Sequence, residues 1–201
     1  MMILVVTGGI GSGKSQVCGI LREMGIRAQY NADARAKALY EEHPTLLSDI
    51  EKSLGCTLKN KEGKFEPSKL ASVIFNDRDA LETVENHLFP VMIEDFQTFA
   101  GNCGEEIVVF ESATVLEKHQ FKGFGDKVIL VDAPFDIRLE RACKRDGADQ
   151  AKVLARMRNQ KLMNDLSDGY EDPRIDCKIL NDSSLDDLER RTKIAINSLI
   201  S

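Results

Sequence analysis

The chain has 201 residues, 42% of them hydrophobic and 30% charged, with a net charge of −6. This composition fits one sizeable globular core with inserted segments, and it excludes both a membrane span of roughly eighteen apolar residues and a global basic field for nucleic acid. The start enters a strand without a basic, cleavable leader, and five cysteines at 18, 56, 103, 143 and 177 show no metal-binding spacing, so we expect a cytoplasmic protein with reduced thiols.

Ile3 to Val6 is an apolar run suited to a short buried strand, and Val17, Cys18, Ile20, Leu21 and Met24 recur at helical spacing from Ser15 onward. Between them lies Gly8-Gly9-Ile10-Gly11-Ser12-Gly13-Lys14-Ser15. Gly8, four residues, then Gly13-Lys14-Ser15 is the pattern of a phosphate-binding loop. Glycines let consecutive backbone N–H groups curl around phosphate oxygens, and the helix that follows adds free N–H groups and the positive end of its dipole. We therefore assign Gly9, Ile10, Gly11, Ser12, Gly13, Lys14, Ser15 and Gln16 to nucleotide binding. Lys14 reaches the terminal phosphates, and the Ser15 hydroxyl is placed to ligate Mg²⁺. A dinucleotide-binding loop does not fit, because glycines at 8, 9, 11 and 13 cannot be read as G-x-G-x-x-G.

Gly25 closes the first helix, and Ile26 to Tyr30 reads as a second short strand. Asp33 follows at its carboxyl end, where open α/β sheets place their chemistry. It is a candidate general base or, equally, a helix N-cap. Residues 41–104 hold helical patterns and no convincing buried strand. Leu46 to Leu54 is one helix, Pro67 to Phe75 another with Pro67 in its first turn, and Arg78 to Ala100 a long amphipathic run with Asp77 as cap and Gly101 as stop. Pro90 is expected to kink or divide that run. Such a helical block over the carboxyl edge of a sheet is a natural place to hold a second substrate. Asn60-Lys61-Glu62-Gly63 is a surface turn rather than a guanine reader, since Gly63 stands where an acid would be needed.

Ile107 to Phe110 and Val128 to Val131 return as strands ending in Glu111 and Asp132. Each acid either supports Mg²⁺, directly or through water, or is satisfied by neighbouring backbone N–H groups. Of the three histidines, His43 and His119 read as solvated and His87 as packed in its helix. From Phe135 the chain turns helical and basic, and Arg138, Arg141 and Arg145 share one face at i, i+3 and i+7. Guanidiniums so arranged grip phosphate oxygens, or else pair with Asp136, Glu140 and Asp146 on a solvated face. As a cluster after the fourth strand we read a lid, with Gly147 as pivot. Cys177 to Leu180 is the last strand, and Leu185 to Ile200 a closing helix.

The chain resembles the nucleotide-kinase group of phosphate-loop proteins and, more closely, the dephospho-CoA kinase family. Thr7 through Ser15 is similar to that family's T-G-G-I-G-S-G-K-S, and Asn31-Ala32-Asp33-Ala34 with Lys37 to its D-A-D segment. Val131-Asp132-Ala133-Pro134 through Arg141 and Arg145-Asp146 resembles its V-D-x-x-x-x-x-Q-x-x-R stretch and lid, and Gln160 and Asn181 fall where it has a lid-end Gln and a D-N pair near the adenine. The chain departs from the pattern at Asn31, which replaces the first acid, at Phe89, which stands in an L-H-P position, and at Arg138, where Gln is common.

The resemblance implies a three-layer α/β phosphate-loop fold: a parallel five-stranded sheet with core 1–40, 105–135 and 175–201, a helical acceptor-binding insert 41–104, and an Arg-bearing lid 136–174, all in one kinase-type domain. It implies transfer of the ATP γ-phosphoryl group, with Mg²⁺, to the ribose 3′-hydroxyl of dephospho-CoA. Asp33, Lys14, Arg141 and Arg145 would be catalytic, and Asn181 would join the nucleotide site. A kinase for another small hydroxyl or nucleoside monophosphate, or a nucleotide-dependent binding module, are the alternative readings.

Overall fold

Met2–Thr7 forms β1, the centre of a sheet whose strands are parallel wherever their register is defined. A computed structural model describes residues 1–75 and 77–200 of the chain. The other strands are β2 (Gln29–Asn31), β3 (Ile107–Glu111), β4 (Lys127–Asp132) and β5 (Cys177–Leu180), in the order β2-β3-β1-β4-β5. Parallel neighbours need crossovers, and these are supplied by the intervening helices. Val6 pairs with Glu111, Thr7 with Leu130 and Asp132 with Leu180, so the carboxyl ends of four strands lie along one edge. That edge is where a ligand site of an open α/β sheet forms.

The sheet residues alternate between two faces, as the pleat dictates. Leu4, Val6, Val109, Ile129, Val131 and Ile179 pack against Val17 and Leu21 of α1 (Lys14–Glu23) and Leu188 and Ile196 of α9 (Leu185–Ile200). On the other face Phe110 is fully buried, stacked on Tyr30 at 5.5 Å between ring centroids and edge-on to Phe124 at 4.6 Å. Three more helices complete this part of the chain: α6 (Phe135–Asp146), α7 (Gln150–Arg158) and α8 (Lys161–Ser167). Leu139, Ala142, Val153 and Met157 of α6 and α7 form their own small core.

The chain divides into two compact units, 1–30 with 104–201, and 31–103. The second unit is built from α2 (Ala32–Glu42), α3 (Leu46–Leu54), α4 (Pro67–Ile74) and α5 (Arg78–Cys103). Arg35 of α2 makes a two-pronged bond to Asp95 of α5, at 3.0 and 2.8 Å, and Tyr40 stacks on Phe65 with centroids 4.5 Å apart. Asp77 caps α5 as expected, accepting from the Ala80 N–H. The expected break at Pro90 does not divide the helix, and the stop comes after Cys103, at Gly104 with φ +68°, rather than at Gly101. A proline inside a helix costs about 3 kcal/mol. Val84, Leu88, Phe89, Met92 and Phe96 are all buried on either side of it, and each such side chain contributes about 1.5–3 kcal/mol, so packing outweighs the lost hydrogen bond.

Phe110 sits where the strand core and the aromatic cluster meet, and its truncation leaves a cavity that the rigid sheet cannot close. Phe110→Ala is expected to lower the unfolding free energy by about 3–5 kcal/mol, read from urea denaturation; a loss below about 1 kcal/mol would show that the aromatic cluster is peripheral to stability.

Candidate active site at the phosphate loop

The loop from Gly8 to Gly13 leaves β1 and enters α1 without a side-chain cap, so the first helical N–H groups face the loop. Gly13 takes φ +98°, a left-handed conformation, and a Cβ there would lie 2.1 Å from Asn181 Nδ2. A Cβ on Gly8 would meet the Val131 carbonyl oxygen at 2.1 Å. The glycines are thus required by close packing as well as by turn geometry.

Three side chains brace the loop directly. Lys14 Nζ folds back and donates to the carbonyl oxygens of Gly8 and Gly9, at 2.9 and 3.3 Å. Gln160 Oε1 accepts from the Ile10 N–H at 2.7 Å. Asn181, buried at the end of β5, donates through Nδ2 to Ser12 O at 2.9 Å and to Gln16 Oε1 at 3.2 Å. Its own backbone oxygen accepts from Arg141 Nη1 at 3.0 Å. Gln160 and Asn181 therefore brace the loop, a role spacing alone could not disclose. Their signal was only that two amide side chains, far apart in sequence, matched family positions.

Ser15 Oγ donates to Glu111 Oε1 at 2.8 Å. Hydroxyl and carboxylate oxygens side by side suit a hard cation, and no cluster of three acidic, His or Cys residues exists among the described residues. A cation here would thus take most of its ligands from phosphate and water, the habit of Mg²⁺. Asp132 is held by one backbone N–H and two side chains rather than by backbone N–H groups alone. It accepts from the Ala133 N–H at 2.9 Å and from Ser167 Oγ at 2.6 Å, and pairs with Lys178 at 2.8 Å.

Arg141 and Arg145 line a cavity of about 270 Å³ with Gly11, Gly13, Lys14, Ser15 and Gln16. Arg145 also pairs with Asp146 at 2.7 Å, as Arg156 does at 2.8 Å. The charged hydrogen bond from Arg145 in particular, reinforced by Arg156, holds the Asp146 carboxyl at about 2. Arg138 departs from the expected shared face: it is 1% exposed and lies against the back of the loop. Three larger hollows, about 500 Å³ around Tyr40 and Phe65, about 480 Å³ beside β5 and about 340 Å³ between β5 and α9, are lined by neither the loop nor its helix.

In the second unit, Asp33 is exposed in the first turn of α2 and does not cap it. Asn31 is the cap, its Oδ1 accepting from the Ala34 N–H at 2.8 Å. His43 Nδ1 likewise accepts from the Leu46 N–H at 3.1 Å, and His87 Nε2 meets Ser53 Oγ at 3.0 Å. His119 is exposed, in a single 3₁₀ turn.

Comparison with known proteins agrees with this geometry. The dephospho-CoA kinase family model matches residues 2–187. A dephospho-CoA kinase of Porphyromonas gingivalis is 36% identical over 175 residues, covering 87% of this chain and 85% of that protein. A solved Thermus thermophilus protein superposes with a TM-score of 0.81 at 28% identity, over 98% of this chain and 97% of that one. The dephospho-CoA kinase from Campylobacter jejuni, at 22% identity and a TM-score of 0.60, covers 98% of this chain and 96% of its own and shares the fold. The chain belongs to the dephospho-CoA kinase family.

Proposed function

We propose that this chain uses ATP to phosphorylate the ribose 3′-hydroxyl of dephospho-CoA, giving coenzyme A. The observation that carries the reading is the phosphate loop, with Lys14, Arg141 and Arg145 converging on one cavity, in a chain of this family. Phosphoryl transfer of this kind needs little covalent help from the protein. It needs positioning, and positive charge where charge spreads over the moving group.

The parts divide accordingly. Backbone N–H groups from Gly11 to Ser15 hold the β-phosphate, and Lys14 exchanges its carbonyl partners for phosphate oxygens. Asn181 and Gln16, bonded to each other, steady the loop on the nucleotide side. Ser15 and Glu111 would hold Mg²⁺, whose charge would neutralise phosphate oxygens when bound. Arg141 and Arg145 close over the transferring group and exclude water, which would otherwise compete as acceptor. Asp33 accepts the hydroxyl proton, a role supported by its exposed carboxylate in the first turn of α2.

We further assign the acceptor to the helical residues 41–104 and the lid to 136–174. The cytosol is the proposed compartment. Five thiols without a disulfide support it, and no helix among the described residues is long and apolar enough to cross a membrane.

A coupled assay following ADP, with Mg-ATP and dephospho-CoA, a nucleoside monophosphate panel, or no acceptor, is expected to respond to dephospho-CoA alone. ADP release that ignores dephospho-CoA would refute the assignment. Lys14→Ala is expected to lower turnover about 10²- to 10³-fold, the usual loss on removing one transition-state donor, and near-normal turnover would remove Lys14 from the mechanism. Asp33→Asn should leave ATP affinity intact while abolishing transfer; a variant at full rate would leave Asp33 with no part in proton removal.

A further inference from the structure

Among the described residues the largest fully buried side chain is charged. Arg138, in the first turns of α6, is 1% exposed. Its Nη2 donates to Asn164 Oδ1 at a long 3.4 Å, while Nε and Nη1 have no hydrogen-bond partner. The phenyl ring of Phe135 lies 5.6 Å from the guanidinium carbon. No ion pair of Arg138 occurs among the described residues. Asp132 and Asp168 favour its charge from a distance, but the Asp132 carboxylate already serves Lys178 and Ser167, and burial outweighs both acids and pulls the guanidinium below its usual range.

What Arg138 does touch is the phosphate loop. A Cβ on Gly9 would lie 2.1 Å from Nη1, and one on Gly11 would lie 2.1 Å from the Arg138 backbone oxygen. The loop therefore rests on this residue at two points, with an uncompensated cation pressed against one of them. Removing a charge from water without a partner is strongly unfavourable, and a field in such a poorly screened site carries across a single layer of backbone.

We propose that Arg138 is a positioning residue for the outer phosphates of the nucleotide: a buried cation against Gly9 whose counter-charge arrives with the polyphosphate chain. The inference rests on the nucleotide reading of the loop given above. The ligand feature it selects is the charge of the phosphate chain. It also makes the empty protein less stable than a neutral side chain would leave it, because the compensating anion is then missing.

The test compares wild type, Arg138→Gln, Arg138→Met and Arg138→Lys by calorimetric titration with Mg-ADP, pyrophosphate and adenosine, together with melting curves without ligand. Arg138→Gln and Arg138→Met are expected to weaken ADP and pyrophosphate about tenfold or more, the scale of one charge-assisted interaction. They should leave adenosine within twofold and melt no lower than wild type when empty. Arg138→Lys, which keeps the charge, should retain ADP affinity within about threefold, and it carries the comparison if a neutral variant does not fold. Unchanged ADP affinity in Arg138→Gln overturns the proposal and assigns the unpartnered N–H groups to buried water. Equal weakening by Lys and Met overturns it in favour of a strut that acts by shape. Wild type that binds neither ADP nor pyrophosphate overturns it together with the nucleotide reading itself.

Discussion

Everything in this protein follows from the row of backbone N–H groups that lines the turn where β1 gives way to α1. A helix start exposes such donors by geometry, and here no side chain caps them. A loop of this kind is a liability unless something else holds its shape, because its glycines supply neither side-chain packing nor rigidity. The surrounding structure provides that support. Lys14, Gln160 and Asn181 each bond a different point of the loop, from α1, from the start of α8 and from the end of β5.

The sheet explains why those three elements meet. Parallel strands place all their carboxyl ends on one edge, so residues separated by up to 169 positions in sequence become neighbours. Burial of Leu4, Val6, Ile129, Val131 and Ile179 against α1 and α9 locks the strand register. Register then sets chemistry: the pairing of Val6 with Glu111 brings the acid at the end of β3 beside the Ser15 hydroxyl.

In this acidic chain the basic helix α6 gathers positive charge, and its three arginines sit in three different settings. Arg138 is buried under the loop, Arg141 is fastened to Asn181, and Arg145 is exposed and paired with Asp146. An exposed ion pair is worth little in water, so little fixes Arg145 in place, whereas Arg138 is held by its surroundings. One helical face by sequence is therefore three environments in space.

The loop, the five strands and the helical block were legible in the sequence because each rests on a local pattern: glycine spacing, short apolar runs, and the 3.6-residue repeat. The family was legible too, since Thr7 to Ser15 and the stretch from Val131 to Arg145 are contiguous motifs. Helix ends were less so. Pro90 reads as a breaker, yet burial of its neighbours keeps α5 whole, and the cap of α2 went to Asn31 rather than Asp33. The partners of the loop were out of reach of any local reading. That Gln160 takes the Ile10 N–H, that Asp132 serves Lys178, and that Arg138 turns inward depend on which residues the sheet and its helices bring together. Spacing along a chain fixes the direction of a side chain on its own element, but burial and pairing are set by the elements packed against it, and only the tertiary structure decides those.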